Sequence, residues 1–159
     1  MSDDCYLAAL RILNYRFNSE GELRRKLAAK KFDREDITQT LRRLRDEKWL
    51  DDERFAGAYV RTRMLKKIGP RKIEQELQAA GVDRETAASA VRENNDEERE
   101  RHDLQALHEK RRRLLALRHG EAYLDTAEGR NKLTGYLLKQ GYDAALVRSV
   151  IKESPVADD

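Results

Sequence analysis

The sequence predicts an all-α fold of tandem three-helix repeats, three units and about nine helices, in an elongated, curved, right-handed-type stack. Three observations predict it. The chain of 159 residues holds only two Pro and eight Gly, too few for a turn-rich β-sandwich or barrel, while Ala, Glu, Lys, Leu and Arg supply more than half of it. Apolar residues recur at helical spacing. That spacing returns three times along the chain, and helix start and stop signals fall at matching places in each copy.

The repeat is read from five apolar positions and one aspartate. Leu23, Leu27, Phe32, Ile37 and Leu41 match Ile73, Leu77, Val82, Ala87 and Val91, and then Leu133, Leu137, Tyr142, Val147 and Ile151. Asp33, Asp83 and Asp143 each follow the middle residue of their set. Apolar residues four apart share a helical face. Gly81 and Gly141 stand where a helix C-terminus favours a left-handed residue, with Lys31 as the weaker equivalent. The aspartates then cap the next helix. Each set is therefore a helix pair, and the chain ahead of it leaves room for a first helix, at roughly 5–16, 52–67 and 97–118.

Local signals fix the starts. Ser19 and Glu22 form a capping-box pattern before Leu23. Gly69-Pro70 places proline at a first helical position, where its missing N–H costs nothing. Asp51 caps the helix opening Asp52-Glu53-Arg54-Phe55, with Leu50 as a staple against Phe55 and Trp49 in the same packing joint. The expected boundaries are 1–50, 51–94 and 95–153 for the three repeats, with 154–159, including Pro155, as a flexible tail. Each unit has few large apolar residues, so neighbouring units are expected to lean on one another in an elongated monomer.

Chemistry is sparse. Cys5 is alone and reads as a bystander; His102, His108 and His119 lack metal-ligand spacing and read as solvated helix positions. No Gly-rich phosphate loop or nucleophile elbow occurs, and the acidic runs at Asp51–Glu53 and Asp96–Glu98 read as helix caps. No catalytic residue, metal or cofactor is expected, and the chain is not read as an enzyme. The acidic Met1-Ser2-Asp3-Asp4 start does not resemble a secretory signal, and no run free of Asp, Glu, Lys and Arg exceeds six residues. A cytoplasmic protein without membrane contact is the expectation.

Charge carries more information. Forty per cent of the residues are charged, against about a quarter in an average soluble protein, yet 33 Lys and Arg nearly balance 30 Asp and Glu. The balance conceals segregation. Arg54, Arg61, Arg63, Lys66, Lys67, Arg71 and Lys72 form an acid-free stretch; Arg24, Arg25 and Lys26 with Lys30 and Lys31 form another, and Lys110, Arg111, Arg112, Arg113 and Arg118 a third. One basic cluster per repeat could form a positive track for phosphates or an acidic protein surface. The alternative is that these cations solvate helices and pair with nearby acids.

The motifs Ser19-Glu20-Gly21-Glu22-Leu23, Leu50-Asp51-Asp52-Glu53-Arg54-Phe55-Ala56, Gly69-Pro70-Arg71-Lys72-Ile73 with Gly81-Val82, and Leu137-Leu138-Lys139-Gln140-Gly141-Tyr142, taken in order, resemble the RecX family of regulators of the RecA recombinase. The likeness runs from about Tyr6 to Glu153 and is weakest in the third repeat; Gln140 stands where the family often has Arg. The resemblance implies binding in the groove of the RecA filament on single-stranded DNA. It implies suppression of filament growth, ATP hydrolysis, strand exchange and coprotease activity, in DNA repair and the SOS response. It carries no catalytic residue. The residues expected at the partner or DNA surface are Arg61, Arg63, Lys66, Lys67, Arg71 and Lys72, flanked by Arg24, Arg25, Lys26 and Lys110, Arg111, Arg112 and Arg113. A helical protein that binds DNA directly and occludes single strands is the alternative, and an adaptor for an acidic partner is a third reading.

Overall fold

The computed structural model describes residues 3–153; the expected tail at 154–159 lies outside the described residues. Nine α-helices occur among them: α1 Asp3–Tyr15, α2 Glu20–Ala29, α3 Arg34–Asp46, α4 Asp52–Leu65, α5 Pro70–Ala79, α6 Arg84–Asn94, α7 Glu97–His119, α8 Ala127–Lys139 and α9 Ala144–Glu153. A 3₁₀ helix, Glu121–Asp125, which the periodicity did not reveal, joins α7 to α8.

The repeated signals act as read. Asp33 accepts hydrogen bonds from the amides of Glu35 and Asp36 at 2.8 and 2.9 Å, and Asp83 and Asp143 accept from Thr86 and Ala145. Lys31 and Gly81 hold positive φ, 70° and 88°. At each, two crossed bonds close the preceding helix: Lys31 N–H to Ala28 and Phe32 N–H to Leu27, then Gly81 N–H to Gln78 and Val82 N–H to Leu77. Lys48 and Lys67 close α3 and α4 in the same way. Ser19 caps α2 through the Glu22 amide, but Glu22 does not complete the box; its carboxylate pairs with Arg16 instead. Asp51 accepts from the Arg54 amide, and Leu50 and Phe55 are both buried.

Two residues depart from expectation. Trp49 is 56% exposed and is no part of a packed joint. His108 is buried, not solvated: with Leu104 and Leu115 it falls on the inner stripe of α7, where helical spacing outranks polarity.

The chain forms two compact units. The first comprises residues up to Val60 together with Glu74–Glu93; its core includes Cys5, Ala9, Leu23, Leu27, Ile37, Leu41, Leu44 and Leu50. The second comprises Arg61–Ile73 together with the residues from Asn94; Leu104, Leu137, Tyr142, Val147 and Val150 form its core.

Each unit contains a joint between consecutive repeats, and the two joints are built alike. In the first unit the Ser19 hydroxyl donates to the Ala80 carbonyl, Arg25 donates to the Ala79 carbonyl at 2.9 Å, and Gly21 rests on Gly81. In the second unit the Gly69 amide donates to the Gln140 carbonyl at 2.7 Å and the Arg71 amide to the Gly141 carbonyl at 3.0 Å. Ser19 and Gly69 occupy the same repeat position, as do Ala80 and Gln140. The start of a second helix therefore docks on the closing turn of the next repeat's second helix. The carbonyls it uses are among those that a helix end leaves free. Close backbone approach makes glycine necessary: a Cβ on Gly21 would lie 2.7 Å from the Gly81 Cα, and one on Gly69 would overlap the Gly141 carbonyl.

Candidate partner and nucleic-acid interface

The thirteen cations expected at a binding surface divide by what already holds them. In the first unit Arg24 pairs with Glu20 at 3.2 Å, Arg25 belongs to the repeat joint, and Lys26 donates to the Asn18 side chain at 2.6 Å. All three are engaged within the fold.

The second unit holds the rest, because Arg61–Ile73 and α7 both belong to it. Arg61 makes only a long contact, 3.5 Å, with Asn94, and Arg63 is half-buried. Arg71 pairs with Asp143. The Asp143 carboxyl is held below its ordinary value, first by the Ala145 amide, then by the Leu146 amide, Arg71 and Arg148. Lys67 carries its left-handed backbone at φ 55°, and its carbonyl accepts the Tyr142 hydroxyl at 3.1 Å; burial raises the Tyr142 hydroxyl well above its usual value. Lys66, Lys67 and Lys72 have no ion pair or side-chain hydrogen bond among the described residues, although the Lys72 stem fills the space beside Gly141.

On α7, Arg112 pairs with Glu121 at 3.5 Å and Arg113 with Glu109 at 2.8 Å. The Arg111 guanidinium lies 4.6 Å from the centre of the Tyr136 ring, with its Nε buried and unpartnered. Lys110 is exposed without an ion pair. The second unit therefore presents Lys66, Lys67 and Lys110 as uncommitted cations, with Arg61 nearly so.

The charge runs did not flag Arg148 and Lys152. They stand four apart on α9, exposed, along a shallow groove lined also by Ala145, Ser149 and Glu153. Their i, i+4 spacing was visible, but two scattered cations on a ten-residue helix make no run.

Among the described residues, no group of three or more His, Cys, Asp or Glu could hold a metal ion, and no helix is long and apolar enough to cross a membrane. Three-helix repeats joined backbone to backbone, with cations left over on the surface, define a helical-repeat protein.

Comparison with known proteins gives the family. Residues 51–91 match the RecX second three-helix domain and residues 5–44 the RecX first three-helix domain. The regulatory protein RecX of Trichlorobacter lovleyi is 32% identical over 153 residues, covering 94% of this chain and 95% of that protein. That of Oceanobacillus iheyensis is 30% identical over 156 residues, covering 97% of this chain but 54% of its own length. The chain thus spans about half the length of that relative, and the match to the regulatory protein RecX of Actinobacillus pleuropneumoniae, 40% identical over 73 residues, covers 46% of this chain and 48% of that protein. The crystal structure of RecX from Lactobacillus salivarius superposes with a TM-score of 0.79 at 27% identity, over 95% of this chain and 94% of that one. The chain belongs to the RecX family.

Proposed function

We propose that this chain is a non-enzymatic regulator, mainly an inhibitor, of a RecA-type recombinase, acting in the cytoplasm. It binds in the groove of the recombinase filament on single-stranded DNA. It suppresses filament growth, and with it ATP hydrolysis, strand exchange and coprotease activity. One observation carries the reading: the likeness to regulatory RecX proteins runs along nearly the whole chain. The uncommitted cations of the second unit support it. A filament on DNA is a dense array of phosphates and protein carboxylates, and Lys66, Lys67 and Lys110 are free to meet either.

The test is a titration of the DNA-dependent ATPase of the cognate recombinase. Substoichiometric protein is expected to lower the rate, because blocking growth at one point silences the subunits that would have added beyond it. An unchanged rate up to stoichiometric protein overturns the proposal. Arg148 and Lys152, exposed and four apart along one groove of α9, favour a second reading, direct binding and occlusion of single strands. It predicts binding to bare single strands, with a log–log salt slope of about −0.7 for each phosphate contacted.

A further inference from the structure

The first helix of the third repeat is longer than its position requires. α1 and α4 have 13 and 14 residues; α7 has 23. The added length is the C-terminal half, beyond the segments that match the two RecX three-helix domains. The structure braces it from one side. Leu115 is buried, the 3₁₀ helix folds back, and Tyr123 stacks on His119 with ring centres 4.4 Å apart.

The other side is unbraced. Lys110, Arg113, Leu114 and Leu117 are spaced i, i+3, i+4, i+7 and share one face. Leu114 is 50% exposed and Leu117 85%. Two adjacent leucines left in water on so charged a helix have no use in phosphate binding, which needs donors and charge. They are what a protein interface needs at its centre, with charge at its rim. The rim here is basic. Lys110 and Arg118 have no ion pair among the described residues, and the nearby acids Glu109 and Glu121 are taken by Arg113 and Arg112.

We infer that the outer face of the C-terminal half of α7 docks an acidic amphipathic helix of a partner protein. Leucine-type side chains of that helix cover Leu114 and Leu117, and its carboxylates meet Lys110 and Arg118. The face addresses protein, whereas Lys66 and Lys67 address whatever is anionic, nucleic acid included. The inference rests on the regulatory reading only in taking the partner to be a protein, and its test uses no recombinase. Loss of the ATPase effect and loss of this docking are therefore separate results.

The experiment is fluorescence anisotropy with the full chain and three labelled probes. The first is a helical peptide of about 18 residues with Leu at i, i+3, i+4 and i+7 and Glu elsewhere. The second has the same composition with the pattern scrambled, and the third is an oligothymidylate. The patterned peptide is expected to bind at least about tenfold more tightly than the scrambled one. Leu114→Ser with Leu117→Ser removes that difference, while oligothymidylate binding and the melting temperature stay as in the parent. Both side chains are exposed, so the variant keeps its fold. Lys110→Glu with Arg118→Glu weakens both peptides. Equal binding of the two peptides, an unchanged preference in the leucine variant, or a loss of oligothymidylate binding in that variant overturns the inference. Concentration-dependent self-association that the leucine variant abolishes, without peptide binding, also overturns it and makes a second copy the occupant.

Discussion

At Gly81, two demands fall on one residue. Its φ of 88° suits glycine, and its Cα is the surface on which Gly21 rests. Gly81→Ala therefore strains the backbone and wedges the joint at once. We expect a loss of about 2–3 kcal/mol by urea denaturation, with Gly21→Ala losing less because it meets only the wedge. The converse applies at Lys48, held at φ 61° where glycine would be unstrained. Lys48→Gly should stabilise by about 0.5–1 kcal/mol, a rise of roughly 1–4 °C in melting temperature. Thr40 offers a third check. It is fully buried with its hydroxyl unpartnered, so Thr40→Val should hold or gain about 1 kcal/mol. The glycine turns were legible because the residue type announces the conformation. The same turn made by lysine at Lys48 and Lys67 leaves no trace in sequence. Trp49 was misplaced for a related reason: adjacency to Leu50 says nothing of direction, and successive residues point opposite ways as a helix ends.

Among the helices, α7 shows where pattern outweighs residue type. Leu104, His108 and Leu115 lie on one stripe by spacing alone, yet histidine reads as a polar, solvent-facing residue. Burial lowers the His108 pKa below its usual value; Glu109 opposes the shift and Arg112 adds to it. The folded protein therefore favours the neutral ring. Its stability is complete above about pH 6.5, the unfolded value, and falls as the pH drops from there towards the lowered folded value. The slope is at most about 1.4 kcal/mol per pH unit for one proton. The capping aspartates Asp33, Asp83 and Asp143, all lowered, lose their contribution only nearer pH 4, so the two effects occupy different windows. Urea midpoints should fall between pH 7.5 and 5.5 in the parent and stay nearly flat in His108→Leu. An equal fall in both would assign the pH dependence to other groups. The capping residues made the starts of α2, α3, α5 and α6 legible almost to the residue. The 3₁₀ helix was not, because five residues without a periodic stripe carry no signal.

Across the molecule, the three basic runs differ in what the fold sets against them, beyond the ranking of a central run and two flanks that the sequence suggests. What separates them is which carbonyl or carboxylate the fold brings within reach, and that depends on residues tens of positions away. Arg25 meets the Ala79 carbonyl and Arg71 meets Asp143, both through repeat joints that the sequence suggested only as units leaning together. The side chains of Lys66 and Lys67 make no ion pair or hydrogen bond among the described residues. Charge reversal should therefore split into two phenotypes. Lys66→Glu with Lys67→Glu removes no bond made by either side chain, so its melting temperature should stay within a few degrees of the parent. Its effect on the recombinase ATPase should need at least about tenfold more protein, since two attractive charges become two repulsive ones at a phosphate-rich or acidic surface. Arg25→Glu sets a carboxylate against the Ala79 carbonyl it replaced a donor for, and should melt several degrees lower whether or not it still inhibits. Measuring melting and inhibition on the same preparations separates the two. If Lys66→Glu with Lys67→Glu inhibits as well as the parent, the uncommitted cations of the second unit are not the binding surface, and the face of α7 becomes the first place to look.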